Sequence, residues 1–376
     1  MNLTRVKALT RKEFIQVARD YRSLALAIAI PVLLLVLFGF ALSLDVDNVP
    51  LAVWDRDKTE ISMDFIRKFQ GSRYFRIIGY FDNYEQLEQM IDRNRTLMAM
   101  VIDTNFSELI QSSKPAAVQL LVDGSDSNTA TIALGYASAV VSGYNANFVL
   151  QTFSKSGMPE PAMMDVRPRV WFNQDLRSRN YIIPGLIAVI IMIIAALLTS
   201  LTVARERERG TMEQLISTPV KAGEIILGKF IPYFIIGLID QIIAVTMAEF
   251  VYHVPFRGNL ALLFFCSSLF LTGALALGML ISITARNQLM ASQLAMLVTF
   301  LPGFLLSGFA WPIANMPPAI QAITHAVPAR YFITILRGIY LKGVGAEILF
   351  VDILLLVIFG VIMVALADRN FKKKVF

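Results

Sequence analysis

The chain has 376 residues, 56% of them hydrophobic and only 16% charged, with a mean hydropathy of +0.60. That is more apolar surface than one soluble core needs, so the composition points to a bilayer as solvent. A net charge of +6 would raise the question of nucleic acid in a soluble protein. Here the lysines and arginines gather at the ends of apolar runs and no RNA-binding or zinc-finger signature is present, so anionic lipid headgroups are the expected counter-charge. A single cysteine, Cys266, excludes an intrachain disulfide framework, and two distant histidines, His253 and His325, argue against a zinc site.

Residues 1–22 form a basic leader. Leu3, Val6, Thr10, Phe14, Val17 and Tyr21 recur at helical spacing, while Arg5, Lys7, Arg11, Lys12 and Arg19 lie off that stripe. The pattern predicts an amphipathic helix on the cytoplasmic membrane surface, with a plain positively charged flank as the other reading. A first apolar run at 23–44 matches the ~20 residues needed to cross the hydrocarbon, and it is too long for a cleaved signal-peptide core. Further runs at 181–204, 230–252, 260–284, 289–311 and 348–366 bring the expectation to six transmembrane helices with both termini on one side. If that side is cytoplasmic, the short outer segments hold only Arg257, Arg330, Arg337 and Lys342, and the inner ones hold most of the remaining flanking lysine and arginine. The imbalance predicts cytoplasmic termini and places residues 45–180 outside the cytoplasm.

Within 45–180, charged residues are frequent and strand-like runs alternate with helical ones. Strands are expected at 51–54, 74–80, 98–102, 118–122 and 166–172, and helices at 61–69, 84–93, 106–111 and 127–155. The run Asp123-Gly124-Ser125-Asp126-Ser127 offers turn and N-cap chemistry before the last helix. This alternation predicts an inserted extracytoplasmic α/β domain between helices 1 and 2, with no catalytic constellation in it. Asp82, Glu85, Glu88 and Asp92 read as a solvated helix face.

The second apolar run ends in Arg205-Glu206-Arg207-Glu208-Arg209-Gly210-Thr211-Met212-Glu213-Gln214-Leu215-Ile216-Ser217-Thr218-Pro219. Such charge density cannot sit in lipid. Gly210 reads as a break, Thr211 and Glu213 as the start of a short helix, and Pro219 as its stop. Arginine alone would satisfy an orientation rule, so the interleaved Glu206, Glu208 and Glu213 suggest a docking element for a soluble partner. The next stretch, Gly223 to Lys229, matches G-x-x-x-x-G-K. Phe230 stands where a nucleotide-binding loop needs Ser or Thr, and no buried strand precedes it, so nucleotide binding by this chain is not expected. Near the C-terminus come Trp311-Pro312-Ile313-Ala314-Asn315-Met316-Pro317-Pro318 and Pro328-Ala329-Arg330-Tyr331-Phe332. Their prolines and apolar neighbours predict a re-entrant outer segment at 312–345, with Pro312, Pro317, Pro318, Pro328, Arg330 and Tyr331 in an outer gate.

The 205–219 stretch resembles the E-R-E-x-G-T-x-E-x-L-x-x-T-P signature of ABC-2 type permeases, and the 311–332 segment resembles the stretch before their last span. The order of elements is similar too, so the resemblance covers the whole chain. It implies a non-catalytic permease subunit of an ATP-binding cassette exporter in the bacterial inner membrane. The coupling helix at 205–219 would dock on a separate ABC ATPase through Arg205, Glu206, Glu208, Gly210, Thr211, Glu213, Leu215, Thr218 and Pro219. ATP and Mg would be bound by that partner and no cofactor by this chain. It also implies a second permease copy or paralogue, and members with a large outer domain are described as exporters of drugs or hydrophobic compounds. A periplasmic adaptor and membrane lipids complete the expected partners.

Asp240, with Gln241 beside it and Glu249 further along, lies within an apolar run, where a charge costs at least ~2.5–3.5 kcal/mol. Three readings stand: a translocation path lined by Asp240, Gln241 and Glu249, a proton or cation site at Asp240, and a packing hydrogen bond from Asp240 to a residue such as Gln288 or Gln293. Interfacial snorkelling suffices for Glu249 and Asp352. Two rivals stand beside the exporter reading: a proton-coupled secondary exporter built on Asp240, and a membrane receptor with an extracytoplasmic sensing domain.

Overall fold

A computed structural model describes residues 2–41, 48–112, 114–155, 171–173 and 177–371. Their elements gather into two units, one from the segments before residue 44 and after residue 169, the other from those between.

The first unit opens with α1 (Leu3–Arg19), whose first free N–H groups are met by Asn2, its side chain accepting from Thr4 N. After Asp20 the chain continues as the apolar α2 (Tyr21–Ala41), which has Pro31 in its interior. α1 turns Val6 and Glu13 inward, while Leu3, Phe14 and Tyr21 of the expected stripe stay exposed. The expected stripe is therefore split, with Val6 buried and Leu3 and Phe14 exposed.

The second unit is a four-stranded sheet with helices. Its elements are β1 (Val49–Asp55), α3 (Glu60–Gln70), β2 (Phe75–Tyr80), α4 (Tyr84–Asp92), β3 (Met98–Ile102), α5 (Phe106–Gln111), β4 (Val118–Val122) and α6 (Ser127–Lys155). The order is β2-β1-β3-β4; β1 runs parallel to both neighbours and β4 runs antiparallel to β3. Alternate residues serve opposite faces, as the pleat requires. Val49, Leu51, Val53, Met98, Met100 and Ile102 pack with Phe65 and Phe69 of α3, Phe106 of α5 and Ala133 of α6. Ala52, Ala99 and Val101 turn to Leu87 of α4. β3 is buried along its whole length, which explains why its run is apolar without alternation. Asp126 caps α6, accepting from Asn128 N at 3.1 Å and from Thr129 Oγ1 at 2.5 Å. The further strand expected at 166–172 falls mostly on residues 156–170, which lie outside the described ones.

The first unit resumes with α7 (Ser178–Glu208), α8 (Thr211–Ser217) and α9 (Ala222–Thr246), the last running into a π-helical turn at Met247–Val251. Then follow α10 (Leu260–Thr284), α11 (Gln288–Leu305), α12 (Pro318–Thr324), α13 (Pro328–Arg337) and α14 (Ala346–Asn370). Among the described residues, α7, α9, α10, α11 and α14 are long and apolar enough to cross a membrane, and the described apolar stretch of α2, Ala27–Ala41, is shorter. α7 is the axis of the unit: its most apolar stretch is 83% buried, against 17% for α14. It fits closely against α10, where a Cβ on Gly278 would stand 2.3 Å from the carbonyl of Ala196. Thr199 Oγ1 donates to the Leu275 carbonyl at 2.9 Å, and Ser282 Oγ accepts from Val203 N at 2.9 Å, stitching the same seam.

Two helix bounds differ most from the apolar runs, and α7 and α14 each extend two to four residues beyond theirs at either end. α9 starts eight residues before 230, because Glu224 is matched by Arg5 of α1 and Lys229 by Glu13 of α1 and Glu206 of α7, so these charges do not end the helix. α11 stops at Leu305 instead of 311, since Gly308 takes a left-handed turn at φ +80°. Short helices fill 312–345, where Pro318 and Pro328 occupy first turns and so lose no backbone hydrogen bond.

Candidate functional site

The end of α7 carries four alternating charges, and each has a partner within its own unit. Arg205 Nε donates to Gln288 Oε1 at 3.2 Å, and its Nη1 lies 3.3 Å from Asp20 Oδ2. Arg207 donates to the carbonyls of Ala285 (2.6 Å) and Ile283 (3.0 Å), occupying the free acceptors at the end of α10. Glu208 accepts from the Gln288 backbone N–H at 3.0 Å and from its side-chain amide, which places a negative charge on the first turn of α11. The chain then breaks at Gly210, whose φ of +68° suits a residue without a side chain. Thr211 donates to the Glu206 carbonyl at 3.3 Å, tying α8 back to α7. Arg209, Glu213, Gln214, Thr218 and Pro219 are exposed, and Arg5 of α1 donates to the carbonyl of Pro219. Leu215 also lies in α8, its side chain outside the described ones. A cavity of about 360 Å³, lined by Lys12, Gln16, Arg205, Arg209 and Gln214, opens between α1, α7 and α8.

Glu206 turns the other way, into the protein. Its two oxygens lie 2.6 Å from Lys12 Nζ and 2.9 Å from Lys229 Nζ, while Glu13 Oε1 stands 3.0 Å from Lys229 and 3.4 Å from Lys12. The side chains of Glu13, Glu206 and Lys229 are at most 4% exposed, and that of Lys12 is 44% exposed. Two positive and two negative groups in mutual contact keep the cluster neutral, the condition under which buried charge is tolerated. Burial alone would lower the pKa of Lys12, but the hydrogen bond and charge of Glu206, followed by the charge of Glu13, outweigh it and raise the pKa above the ordinary lysine value. Residues Gly223 to Lys229 are helical throughout, so no loop there could wrap a phosphate, and the lysine of that apparent motif belongs to the ion cluster.

Further along α9, Asp240 and Gln241 are 4% and 1% exposed. Among the described residues, neither oxygen of Asp240 and neither amide atom of Gln241 has a hydrogen-bond partner. Asp240 borders a void of about 10 Å³ between Pro31 of α2, Ile190 and Ile194 of α7, and Gly237, which is at the lower limit for one water. Neither residue weighed as its packing partner reaches it: Gln288 is held by Glu208 and Arg205, and Gln293 is exposed. Glu249 lies in the π-helical turn with an exposed side chain, apart from Asp240.

At the opposite end of α7, Arg330 donates to Thr324 Oγ1 and Tyr331 donates to the His325 carbonyl at 2.7 Å, so both lock the turn between α12 and α13. Pro312 and Pro317 precede a 3-10 turn (Ile313–Asn315) and α12, Pro318 starts α12 and Pro328 starts α13. Arg337 is a contributor that the residue pattern did not single out. Its guanidinium carbon lies 3.4 Å from the Tyr181 ring centroid, and its Nε and Nη1 donate to the carbonyls of Tyr181 and Gly308 at 3.3 and 3.1 Å. Glu13 and Lys229 are the other two residues that sequence reasoning missed. The signals were present: Glu13 is one of two acidic residues in a basic leader, and Lys229 lies seven residues into a helix otherwise bound for lipid.

Comparison with known proteins gives the family. The model of a family described as "ABC-2 family transporter protein" matches residues 21–367. The "Probable multidrug ABC transporter permease YbhS" of Escherichia coli K12 is 37% identical over 371 residues, covering 98% of this chain and 97% of that protein. The "Probable multidrug ABC transporter permease YbhR" of the same organism is 31% identical over 371 residues, covering 99% of each chain. The "Inner membrane transport permease YhhJ", also from Escherichia coli K12, is 26% identical over 332 residues, covering 87% and 86%. These relatives are named as transport permeases, not as catalytic enzymes. With its long apolar helices and a family match over nearly its whole length, the chain is a multi-pass membrane protein that belongs to the ABC-2 family of transporter permeases.

Proposed function

We infer that this permease exports a hydrophobic or amphipathic compound from the cytoplasm or inner leaflet, driven by a separate ATPase that docks on α8. The observation that carries the reading is the division of labour along residues 205–219. Arg205, Glu206, Arg207 and Glu208 fasten the foot of α7 to its neighbours, and beyond Gly210 a short helix turns Glu213 and Gln214 to solvent. A helix held rigidly on one side and open on the other suits the reception of a push. ATP and Mg belong to that partner, and a second permease, a copy or a paralogue, completes the pathway. In this reading α2 joins the five longer helices as the first of six spans, the termini and α8 are cytoplasmic, and the sheet unit is an extracytoplasmic domain inserted between α2 and α7. Asp240 and Gln241 border the path, and α12, α13 and Arg337 form the outer gate.

The test is Glu213→Arg in the complex purified with its ATPase. Stimulated hydrolysis should be abolished while membrane expression stays at the wild-type level, and unchanged coupling would sink the docking assignment. One observation favours a second reading, proton-coupled export through Asp240: its carboxyl is buried and has no hydrogen-bond partner among the described residues. Export that collapses with an uncoupler and survives loss of every ATPase would establish that reading instead.

A further inference from the structure

Lipid contact alone would leave an amphipathic helix free to slide along the membrane surface, yet α1 is pinned at several points. Glu13 meets Lys229 of α9 at 3.0 Å, and Lys12 meets Glu206 of α7 at 2.6 Å. The Asn2 backbone N–H donates to Glu224 Oε1 of α9 at 2.6 Å. Between these contacts α1 lies directly on α9, where a Cβ on Gly228 would stand 2.6 Å from the Cβ of Leu9. Lys229 is the α9 member of the cluster and ties that helix to the other two, its ammonium lying 3.0 Å from Glu13 of α1 and 2.9 Å from Glu206 of α7, while Glu206 also meets Lys12 of α1.

Charge fixes this joint in a way that apolar packing would not. An apolar seam can slip by one helical turn and find equivalent neighbours, whereas such a slip here would leave a carboxylate or an ammonium buried and unpaired. A lysine suits the place because its compact ammonium can serve two carboxylates at once. Gly210, φ +68°, lies immediately before α8 and is the point where a push on α8 could be lost as local bending.

We propose that Lys229 is a positioning residue that locks α1, the foot of α7 and the first turns of α9 into one rigid joint. A stroke received at α8 thereby turns α9, and Asp240 with it. This rests on the docking of an ATPase on α8, and the test separates the two ideas. The full complex is reconstituted in nanodiscs on a Cys266→Ser background, with a little spin-labelled chain diluted into unlabelled chain. One label pair reports α8 against α14 (Gln214 and Val364) and a second reports α9 against α14 (Ile242 and Ile358). Distances are compared with and without Mg-ATP and vanadate.

In the wild-type joint both pairs shift. If no ATPase co-purifies, or the α8 pair stays still, the docking reading has failed. The decisive chain is Glu13→Met/Lys229→Met, which leaves the neutral pair Lys12 and Glu206 in place and so keeps the fold while removing the lock. The expected result is an α8 shift like wild type together with an α9 shift lost or cut by more than half. An α9 shift that keeps more than half its size overturns the proposal, because a merely structural Lys229 would be replaced by the apolar pair without loss of transmission. Glu13→Gln/Lys229→Gln, which also removes both charges and leaves Lys12 paired with Glu206, carries the same two outcomes if the methionine variant does not reach the membrane.

Discussion

The two ends of α9's charged half solve one problem in opposite ways. At Lys229 every buried charge has an opposite partner within 3.4 Å, drawn from three helices. At Asp240, eleven residues on, the carboxyl is equally buried and has no partner among the described residues. Paired charges hold helices in one register, whereas a bare carboxyl among apolar side chains is a cost that the fold carries. The difference teaches that burial alone does not assign a role to an ionisable group; its neighbours do.

Breaking the paired side should give the largest effect. Lys229→Met leaves Glu13 and Glu206 facing each other with only half-exposed Lys12 between them, and removal of one partner from a buried ion pair costs about 3–5 kcal/mol. The melting temperature of the detergent-solubilised chain should fall accordingly, and the Glu13→Met/Lys229→Met double variant should recover most of the loss. The unpaired side should respond with the opposite sign. Asp240→Leu removes a buried, unsatisfied polar group, a change worth about 1–3 kcal/mol, so the melting temperature should rise. A fall of the size seen for Lys229→Met would show that Asp240 acquires a partner in the assembled transporter.

The smallest effect sharpens the comparison from its exposed edge. The pKa of Lys12 is raised in the folded protein, so its contribution to stability is fully present below the ordinary lysine value of 10.5 and is lost as pH climbs through the raised one. Solvent screens a half-exposed group, so the step should be small. An alkaline melting series should show it as a difference between wild type and Lys12→Met that narrows above pH 10.5.

Much of the secondary structure was legible in the residues. β3 and β4, α5, α6 and α10 fall on the runs read from periodicity and turn chemistry, and the break at Gly210 stands where that glycine was marked as one. These features are local: side-chain alternation, caps and left-handed turns act over a few neighbours. The six-span arithmetic was less secure, because α2 is described as a strongly apolar stretch only over Ala27–Ala41. Helix ends set by tertiary partners were misplaced, since nothing local shows that Glu224 and Lys229 are neutralised and can continue α9.

The candidate site divides along the same line. Composition pointed to a membrane protein, and the resemblance carried by the charge run after the second apolar stretch and by the 311–332 segment named the family that the chain belongs to. Which charges face inward was decided only in three dimensions. Arg205, Glu206, Arg207 and Glu208 look equivalent in sequence, yet their partners come from α1, α9, α10 and α11, up to 194 positions away. An ion pair is a relation between two distant stretches of chain, so its existence is written in neither stretch. The sequence determined which residues could carry charge and where helices could form, and the packing of those helices decided which charges became joints and which was left alone.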